Sequence, residues 1–433
     1  MSLLLRTAVL SLLFATGAAT SAAPAIPPPP RAADDATTYR QLELFARVLS
    51  YVQNHYVEKV DDKQLIYGAI KGMLDTLDPH TVFMPPDVFK EMKIDTSGEF
   101  GGLGLEIAKK GEVLVVVAPV DDTPAARAAA KMRGPAGKRV TLTLMRPGFG
   151  QPQDITILRD HVRLVSAEGT LYGDVAYVRV KNFQERTDAY LKKELDRLRA
   201  LNGGRELSGL VLDLRNNPGG LLEQAVAVSD RFLPGNLTIV TTRGRGARST
   251  DEAKSRDRDT EKPYPVVVLV NGGSASAAEI VAGALQDHGR ALIVGTPTFG
   301  KGSVQTVIEL EDGSGLKLTI ARYFTPKGRS IQELGIQPDV VVPDARDTAL
   351  RMPREKDLRR HLRNDGAADA RAPRLLQARD WGVTAGLTDD QLRLALNYLH
   401  DTAGESQRAH AVAPAPSSTP GVSADPPPAA RTR

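Results

Sequence analysis

The sequence predicts an α/β protein. Three observations lead there: apolar strand-type runs alternate with helical stretches between roughly Val162 and Asp344, those runs end in turn-forming residues, and helical patterns flank this core on both sides. A chain of 433 residues has room for two or three domains, and 41% hydrophobic residues suffice for substantial cores. The 56 Lys and Arg against 52 Asp and Glu leave a net charge of +4 spread along the chain. No basic block is interleaved with aromatics, which argues against nucleic acid as a partner. Cysteine is absent, so disulfides, thiolate nucleophiles, cysteine-ligated zinc and a lipid-modified cysteine are excluded together.

Residues 1–22 read as an export signal, with Arg6 as the charge, Thr7 to Ala19 as the short apolar run and Thr20-Ser21-Ala22 as small residues for cleavage. A membrane span needs roughly 20 apolar residues. The mature chain is therefore expected to be soluble and exported, periplasmic or extracellular, with membrane association only if the signal is retained. Residues 23–38 form a linker stiffened by Pro27 to Pro30. Residues 39–95 turn helical: Leu42, Phe45, Val48, Leu49 and Val52 recur at three- and four-residue steps, and a second helix near Lys63 to Leu77 stops at Asp78-Pro79. Residues 96–158 carry strand signals at Leu103 to Ile107, Glu112 to Val120 and Arg139 to Met145.

The core, residues 159–345, begins with strands within Val162 to Asn182 and a helix from Glu185 to Leu201. A buried strand, Leu207 to Asp213, runs into the tight turn Arg215-Asn-Asn-Pro-Gly-Gly220, and Leu221 to Phe232 is helical. Tyr264 to Val270 is a strand, Ser276 to His288 a helix, and strands follow at Ala291 to Val294, Ser303 to Leu310 and Leu316 to Thr325. Residues 346–403 contain helical stretches broken by Gly and Pro. Residues 404–433, rich in Pro, Ala and Ser, are expected to be a disordered tail.

Two segments of the core carry chemistry. Asn271-Gly-Gly-Ser-Ala-Ser276-Ala-Ala-Glu279 lies between a strand and a helix. Ser276 and Glu279 stand in capping-box spacing, so a plain helix cap is the simplest account. A serine at this turn also has free backbone N–H groups and a helix dipole beside it, which suit an oxyanion. It still needs a base. Gly295-Thr-Pro-Thr-Phe-Gly300-Lys301-Gly302 nearly matches a phosphate-binding P-loop, but Gly302 replaces the metal-ligating hydroxyl and a strand pattern follows where a helix is required. Nucleotide binding is rejected. Lys301 alone reads as a solvated loop residue. Paired with Ser276, it reads as a general base whose pKa burial would lower, a known replacement for a triad.

Together with Asp213-Leu-Arg-Asn-Asn-Pro-Gly-Gly220 and Thr298-Phe-Gly-Lys-Gly302, the serine segment resembles the three signatures of the carboxyl-terminal processing proteases, also called tail-specific proteases. Leu77-Asp-Pro-His80 and Asp95 to Gly104 match as well, so the likeness covers roughly Tyr39 to Asp344. The family serine precedes a glutamate by three residues and its lysine by 25 (301 − 276), which selects Ser276 over Ser274. The resemblance implies a crotonase/ClpP-like α/β protease core and an acyl-enzyme on Ser276. It implies that Gln305 orients the Lys301 amine and that the oxyanion donors are Ala277 and Gly219 or Gly220. Asp287 would give at most support and otherwise reads as a polar helix end. Gly102, Leu103 and Gly104 correspond to the carboxylate-binding loop of a PDZ domain. The substrates would be proteins or peptides with free C-termini, with no cofactor required. A homo-oligomer or a regulatory adaptor is compatible with the sequence but not specified by it.

One departure stands out. After Val116 to Ala130 the chain passes directly to Lys131-Met-Arg-Gly134 and the closing strand, so the inserted PDZ-like segment is truncated, lacking its middle strands and most of its second helix. A peptide-binding scaffold of little activity is therefore one alternative function, opposed by the intact Ser276, Lys301 and Gln305. A crotonase-like acyl-thioester enzyme is another, opposed by the export signal and the Ser/Lys pair. The histidines, at 55, 80, 161, 288, 361, 400 and 410, show no metal-ligand spacing, and a triad through His288 is disfavoured by its place at a helix end.

Overall fold

The computed structural model describes residues 35–102, 106–110, 113–118, 134–144, 150–246, 250–257, 259–343, 353–364 and 387–412. The expected export signal, Leu103 and Gly104 of the expected carboxylate loop, residues 119–133 of the segment expected to be PDZ-like and the tail beyond Val412 lie outside the described residues. The chain divides into two units, Met1–Ile66 and Tyr67–Arg433. The first contains α1 (Asp35–His55), whose Leu42, Phe45 and Val48 are exposed. Helix α2 (Asp62–Leu74) begins in it.

The second unit is built on a six-stranded sheet. Its strands are β8 (Ala167–Tyr172), β9 (Val175–Val180), β10 (Gly209–Asp213), β13 (Val266–Val270), β14 (Ala291–Gly295) and β17 (Val340–Val341), in the order β17-β14-β13-β10-β9-β8. All neighbours are parallel except β8 and β9. Strands β10 and β13 are buried along their whole length, which is why both read as unbroken apolar runs. Their side chains divide by alternation. Leu210, Leu212, Val266, Val268 and Val270 pack with α4 (Thr187–Leu201), α5 (Leu222–Asp230) and α6 (Ala277–Asp287). Val211, Val267 and Leu269 pack on the other face with Leu392, Ala395, Leu396 and Leu399 of α7 (Asp390–Val412). Those four positions repeat at three- and four-residue steps, the stripe of a helix lying on a sheet.

A second sheet is antiparallel: β1 (Val82–Met84), β16 (Gly315–Phe324), β11 (Thr238–Gly244) and β12 (Thr250–Lys254), with β15 (Ser303–Glu309) also on β16. Strands β1, β11 and β12 are additions to the sequence reading. β1 has three residues, and β12, Thr-Asp-Glu-Ala-Lys, has no apolar alternation, so only pairing to a neighbour specifies them. Helix α3 (Pro86–Ser97) precedes three two-stranded pairs in residues 99–163. These are β2 (Glu99–Gly102) with β7 (Asp160–Arg163), β3 (Glu106–Lys110) with β4 (Val113–Ala118), and β5 (Arg139–Leu144) with β6 (Gln153–Leu158). One boundary is corrected. Helix α7 continues to Val412, past residue 404 where a disordered tail was expected to begin. A lone Gly404 costs only about 1 kcal/mol in a helix, and alanines at 403, 409 and 411 favour its continuation. No described helix is long and apolar enough to cross a membrane.

Because Leu396 is fully buried between sheet and helix, Leu396→Ala should destabilise the protein by about 2–5 kcal/mol. Urea unfolding monitored by circular dichroism would measure it, with the midpoint lowered and the slope unchanged. A loss below about 0.5 kcal/mol would mean that α7 does not close this core.

Candidate active site

Three loops leave the carboxyl ends of the adjacent parallel strands β10, β13 and β14, the edge where open α/β sheets form sites. Asparagines lock the first two together. Asn271 accepts the N–H of Asn216 (2.9 Å) and of Gly273 (3.0 Å) on its side-chain oxygen, and its amide donates to Asn216 Oδ1 (3.0 Å). Asn217 donates to the Val180 carbonyl (2.7 Å), and its backbone carbonyl accepts the N–H of Ala275 (2.9 Å). Ser274 is fully buried, donates to the Leu214 carbonyl (2.7 Å) and accepts the N–H of Asn271 (3.0 Å). Its hydroxyl is structural, which agrees with the choice of Ser276 over it.

Ser276 ends the turn and starts α6. Ser276 forms half of the expected capping box, its N–H donating to Glu279 while its hydroxyl makes no side-chain cap bond. Its backbone, however, is at φ 55°, ψ −113°, whereas an ordinary cap residue is extended. An L-residue is held at such positive φ only when its surroundings impose it, and strain of this kind clusters at reactive positions, as in the nucleophile turns of α/β-hydrolases.

The surroundings centre on Glu279, which is fully buried. Its Oε2 accepts the N–H of Ser276 (2.8 Å) and of Lys301 (2.9 Å). Its Oε1 accepts the Thr298 hydroxyl (2.5 Å) and the N–H of Gly300 (2.7 Å). Ser276 and Lys301 are thus brought together through one carboxylate oxygen. Burial pushes the Glu279 pKa up to about 7 against the pull of these four donors. The lysine loop is pressed onto residues 331–335. A Cβ on Gly302 would lie 2.4 Å from the Gln332 nitrogen, the close passage that the flanking glycines suggested.

Lys301 is held in a partly buried position, and burial lowers its pKa to about 8. The Lys317 charge pushes the same way, while Glu355, Glu279 and Asp78 push back. Among the described residues, no carboxylate lies within ion-pair distance of the Lys301 ammonium.

Gly219 meets the serine turn: a Cβ on it would lie 2.8 Å from Ser276 Cβ and 3.0 Å from the Ala277 nitrogen. As a donor, though, Gly219 is corrected, because its N–H already bonds Asn217 Oδ1 (2.9 Å). Among the described residues, the N–H groups of Gly220 and Ala277 have no acceptor. Gly220 sits at φ 142°, with Phe183 O 2.1 Å from where a Cβ would stand, so only glycine fits.

Gln305 does not reach Lys301 with its amide nitrogen, which donates to Ser303 Oγ (2.8 Å) and Thr319 Oγ1 (3.4 Å). That leaves its carbonyl oxygen as the end able to accept from an amine. Asp287 stands at the far end of α6, roughly 16 Å along the axis from Ser276. It accepts from the Lys327 N–H (3.0 Å) and Arg329 (2.7 Å), so its role is to fix the helix end. Although burial raises its pKa, bonds from Thr325, Lys327 and Arg329 hold it below the usual value. His288 bonds the Thr238 carbonyl (2.7 Å), away from any serine. Gly102 closes β2 opposite Asp160. Among the described residues, no cluster of His, Cys, Asp and Glu could hold a metal. Sequence reasoning missed Glu279 as a hub. Its signal was the cap spacing, which could not reveal the reach to Thr298, Gly300 and Lys301.

Residues 174–342 match peptidase family S41, and residues 20–88 match the N-terminal domain of the activating protease CtpB. A carboxy-terminal-processing protease of Bartonella bacilliformis is 44% identical over 333 residues, covering 71% of this chain and 76% of the relative. A carboxyl-terminal-processing protease of Synechocystis is 35% identical over 324 residues, covering 67% and 74%. Among solved structures, the photosystem II D1 C-terminal processing protease has 30% identity and a TM-score of 0.45, covering 70% of this chain and 92% of that one.

The buried carboxylate makes a thermodynamic prediction. Its pKa rises from an ordinary 4.5 to about 7 on folding, so the neutral form contributes stability that is fully present below 4.5 and lost as pH rises through about 7. The melting temperature of the wild type, taken relative to Glu279→Gln at the same pH, should fall across that window and level off above it. A difference that is constant with pH would show that Glu279 does not titrate there.

Proposed function

Since this chain belongs to peptidase family S41, among the carboxy-terminal processing proteases, we propose that it cuts protein substrates near their C-termini with Ser276 as nucleophile and Lys301 as general base. The observation that carries this reading is the Glu279 oxygen shared by the two backbones, one at a strained turn and the other bearing a desolvated amine. A neutral Lys301 Nζ takes the Ser276 proton as Oγ bonds to the scissile carbonyl carbon. The negative charge that develops on the carbonyl oxygen faces the N–H groups of Ala277 and Gly220. Collapse breaks the C–N bond, and the leaving amine takes the proton from the Lys301 ammonium. Water then gives up a proton to Lys301 and attacks the ester, and collapse breaks the acyl C–Oγ bond as Lys301 returns that proton to Ser276 Oγ, releasing the new C-terminus.

Ser276→Ala and Lys301→Ala should each lower hydrolysis of an unfolded protein by at least 1,000-fold, on the scale of losing a member of a triad, with melting temperatures nearly unchanged. Gln305→Ala should cost less. Ser274→Ala should retain chemistry but lose stability, since its buried hydroxyl bonds two backbone groups. Measurable turnover near the wild-type rate in either of the first two variants would end the Ser/Lys assignment.

Residues 1–22 are proposed to export the chain, and residues 96–158 to be a shortened PDZ-like segment. Between β4 and β5 only residues 119–138 remain to supply a groove helix and any further strand. A groove missing one apolar wall would grip a C-terminal peptide weakly. Cleavage of one unfolded substrate with a free or an amidated C-terminus should therefore differ by less than tenfold, about 1.4 kcal/mol. A larger preference for the free carboxylate would mean that the groove is complete.

A further inference from the structure

The turn Leu77-Asp-Pro-His80 takes no part in the catalytic steps, yet its bonding presents one side chain to the interior. Asp78 Oδ1 accepts the N–H of His80 (2.9 Å) and of Thr81 (3.1 Å), and Oδ2 accepts the Thr81 hydroxyl (2.7 Å). Held in this way, His80 meets Glu355 Oε2 with its Nε2 (2.7 Å). Glu355 opens the short 3-10 turn Glu355–Asp357 and is fully buried, so both of its oxygens need partners. Oε1 accepts the side-chain amide of Gln332 (2.9 Å), which is fully buried as well.

These contacts decide which way Gln332 points. Its amide nitrogen faces two acceptors, Glu355 Oε1 and the Leu362 carbonyl (2.8 Å), so its oxygen is turned the other way. There it accepts the N–H of Gly302 (3.0 Å). Glu279 takes the N–H groups of Gly300 and Lys301. The backbone donors of three consecutive residues centred on the lysine are therefore all held by buried side chains. Glu355 adds a direct tie, its own N–H donating to the Phe299 carbonyl (3.1 Å).

The geometry points to Glu355 as a positioning residue for the reaction: through Gln332 it fixes the Gly302 end of the lysine loop, as Glu279 fixes the Gly300 end, and so sets where the Lys301 amine stands. This rests on the reading of Lys301 as general base. Such a base must lie within hydrogen-bond reach of the proton it takes. A loop anchored at one end lets the amine shift, and a displacement of about 1 Å can cost about 100-fold in rate. Glu355 acts through its bonds and not its charge, since an amide at 355 still offers an oxygen to Gln332 and a donor to His80 Nε2.

The test is kcat and KM on fluorescently labelled, unfolded casein for wild type, Glu355→Leu, Gln332→Leu, the double variant and Glu355→Gln, each checked as folded by circular dichroism. Working at about pH 9.5, above the Lys301 pKa of about 8, keeps the base largely neutral throughout. Each leucine variant should lose about 30- to 100-fold in kcat with KM held within about twofold. The double variant should fall no more than about threefold below either single, because both break one chain of bonds. Glu355→Gln should stay within about threefold of wild type, because its amide keeps both bonds. A merely structural role would lower the melting temperature and leave kcat per folded molecule unchanged. That result overturns the proposal, as do additive losses in the double variant or a Glu355→Gln loss as deep as that of Glu355→Leu. If Glu355→Leu does not fold, Gln332→Leu decides, since it removes the acceptor at Gly302: kcat near wild type overturns the proposal. Retained turnover in Lys301→Ala would defeat the base assignment and the proposal with it, an outcome distinct from the others.

Discussion

The structure around the site depends on a single buried carboxylate. Glu279 enters the interior on the first turn of α6 and there meets four donors from two loops that are distant in sequence. A carboxylate out of water is costly unless its oxygens are fully bonded. Here that requirement works as a geometric constraint. To satisfy Glu279, the segment from Thr298 to Lys301 must lie against the serine turn, and no looser arrangement supplies the same donors. Thr298 extends the constraint further, accepting the Ile336 N–H (2.7 Å) on its hydroxyl, so residues 331–336 are drawn onto the lysine loop as well. The positive φ of Ser276 fits this account, since its N–H is pulled toward the carboxylate while its carbonyl begins the helix.

The glycine turn after β10 is braced from the opposite side of the sheet. Arg215 grips Asp213 through Nε and Nη2 and reaches Asp389 and Gln391 with Nη1. Asp389 also accepts the N–H of Leu392, capping the first turn of α7. The helix that covers the second face of the sheet is therefore fastened to the loop that presents Gly220. Tyr177 adds a bond to Asp213 (2.8 Å), and burial beside that carboxylate raises the tyrosine pKa well above its ordinary value. Core packing and site geometry are linked here through one guanidinium, whose planar fork suits a bidentate partner.

Much of this was legible in the sequence, for reasons that differ by element. Strands β10 and β13 declared themselves because burial on both faces leaves an apolar run with no alternative use. Helices α4 and α7 showed the apolar period of a one-faced helix. By contrast, β12 carries Thr, Asp, Glu and Lys at positions that pair with β11 instead of filling the core, and β11 has only Ile239 and Val240 buried in a run of threonines. The fourth residue of the capping box, Glu279, was visible only as a cap, since nothing local says where its carboxylate points.

The sequence by itself determined the α/β core, the turn segments that carry Gly220, Ser276 and Lys301, and the pairing of Ser276 with Lys301 as candidates. These follow from periodicity, turn chemistry and motif spacing, all of which act over short stretches of chain. Only the tertiary structure decided that Glu279 joins the two candidates and that, among the described residues, Gly220 and not Gly219 has a free N–H. The first is a set of contacts between segments about twenty residues apart, and the second turns on how a side chain folds back within its own turn, so a buried carboxylate's partners and a committed donor exist only once the chain has closed around them.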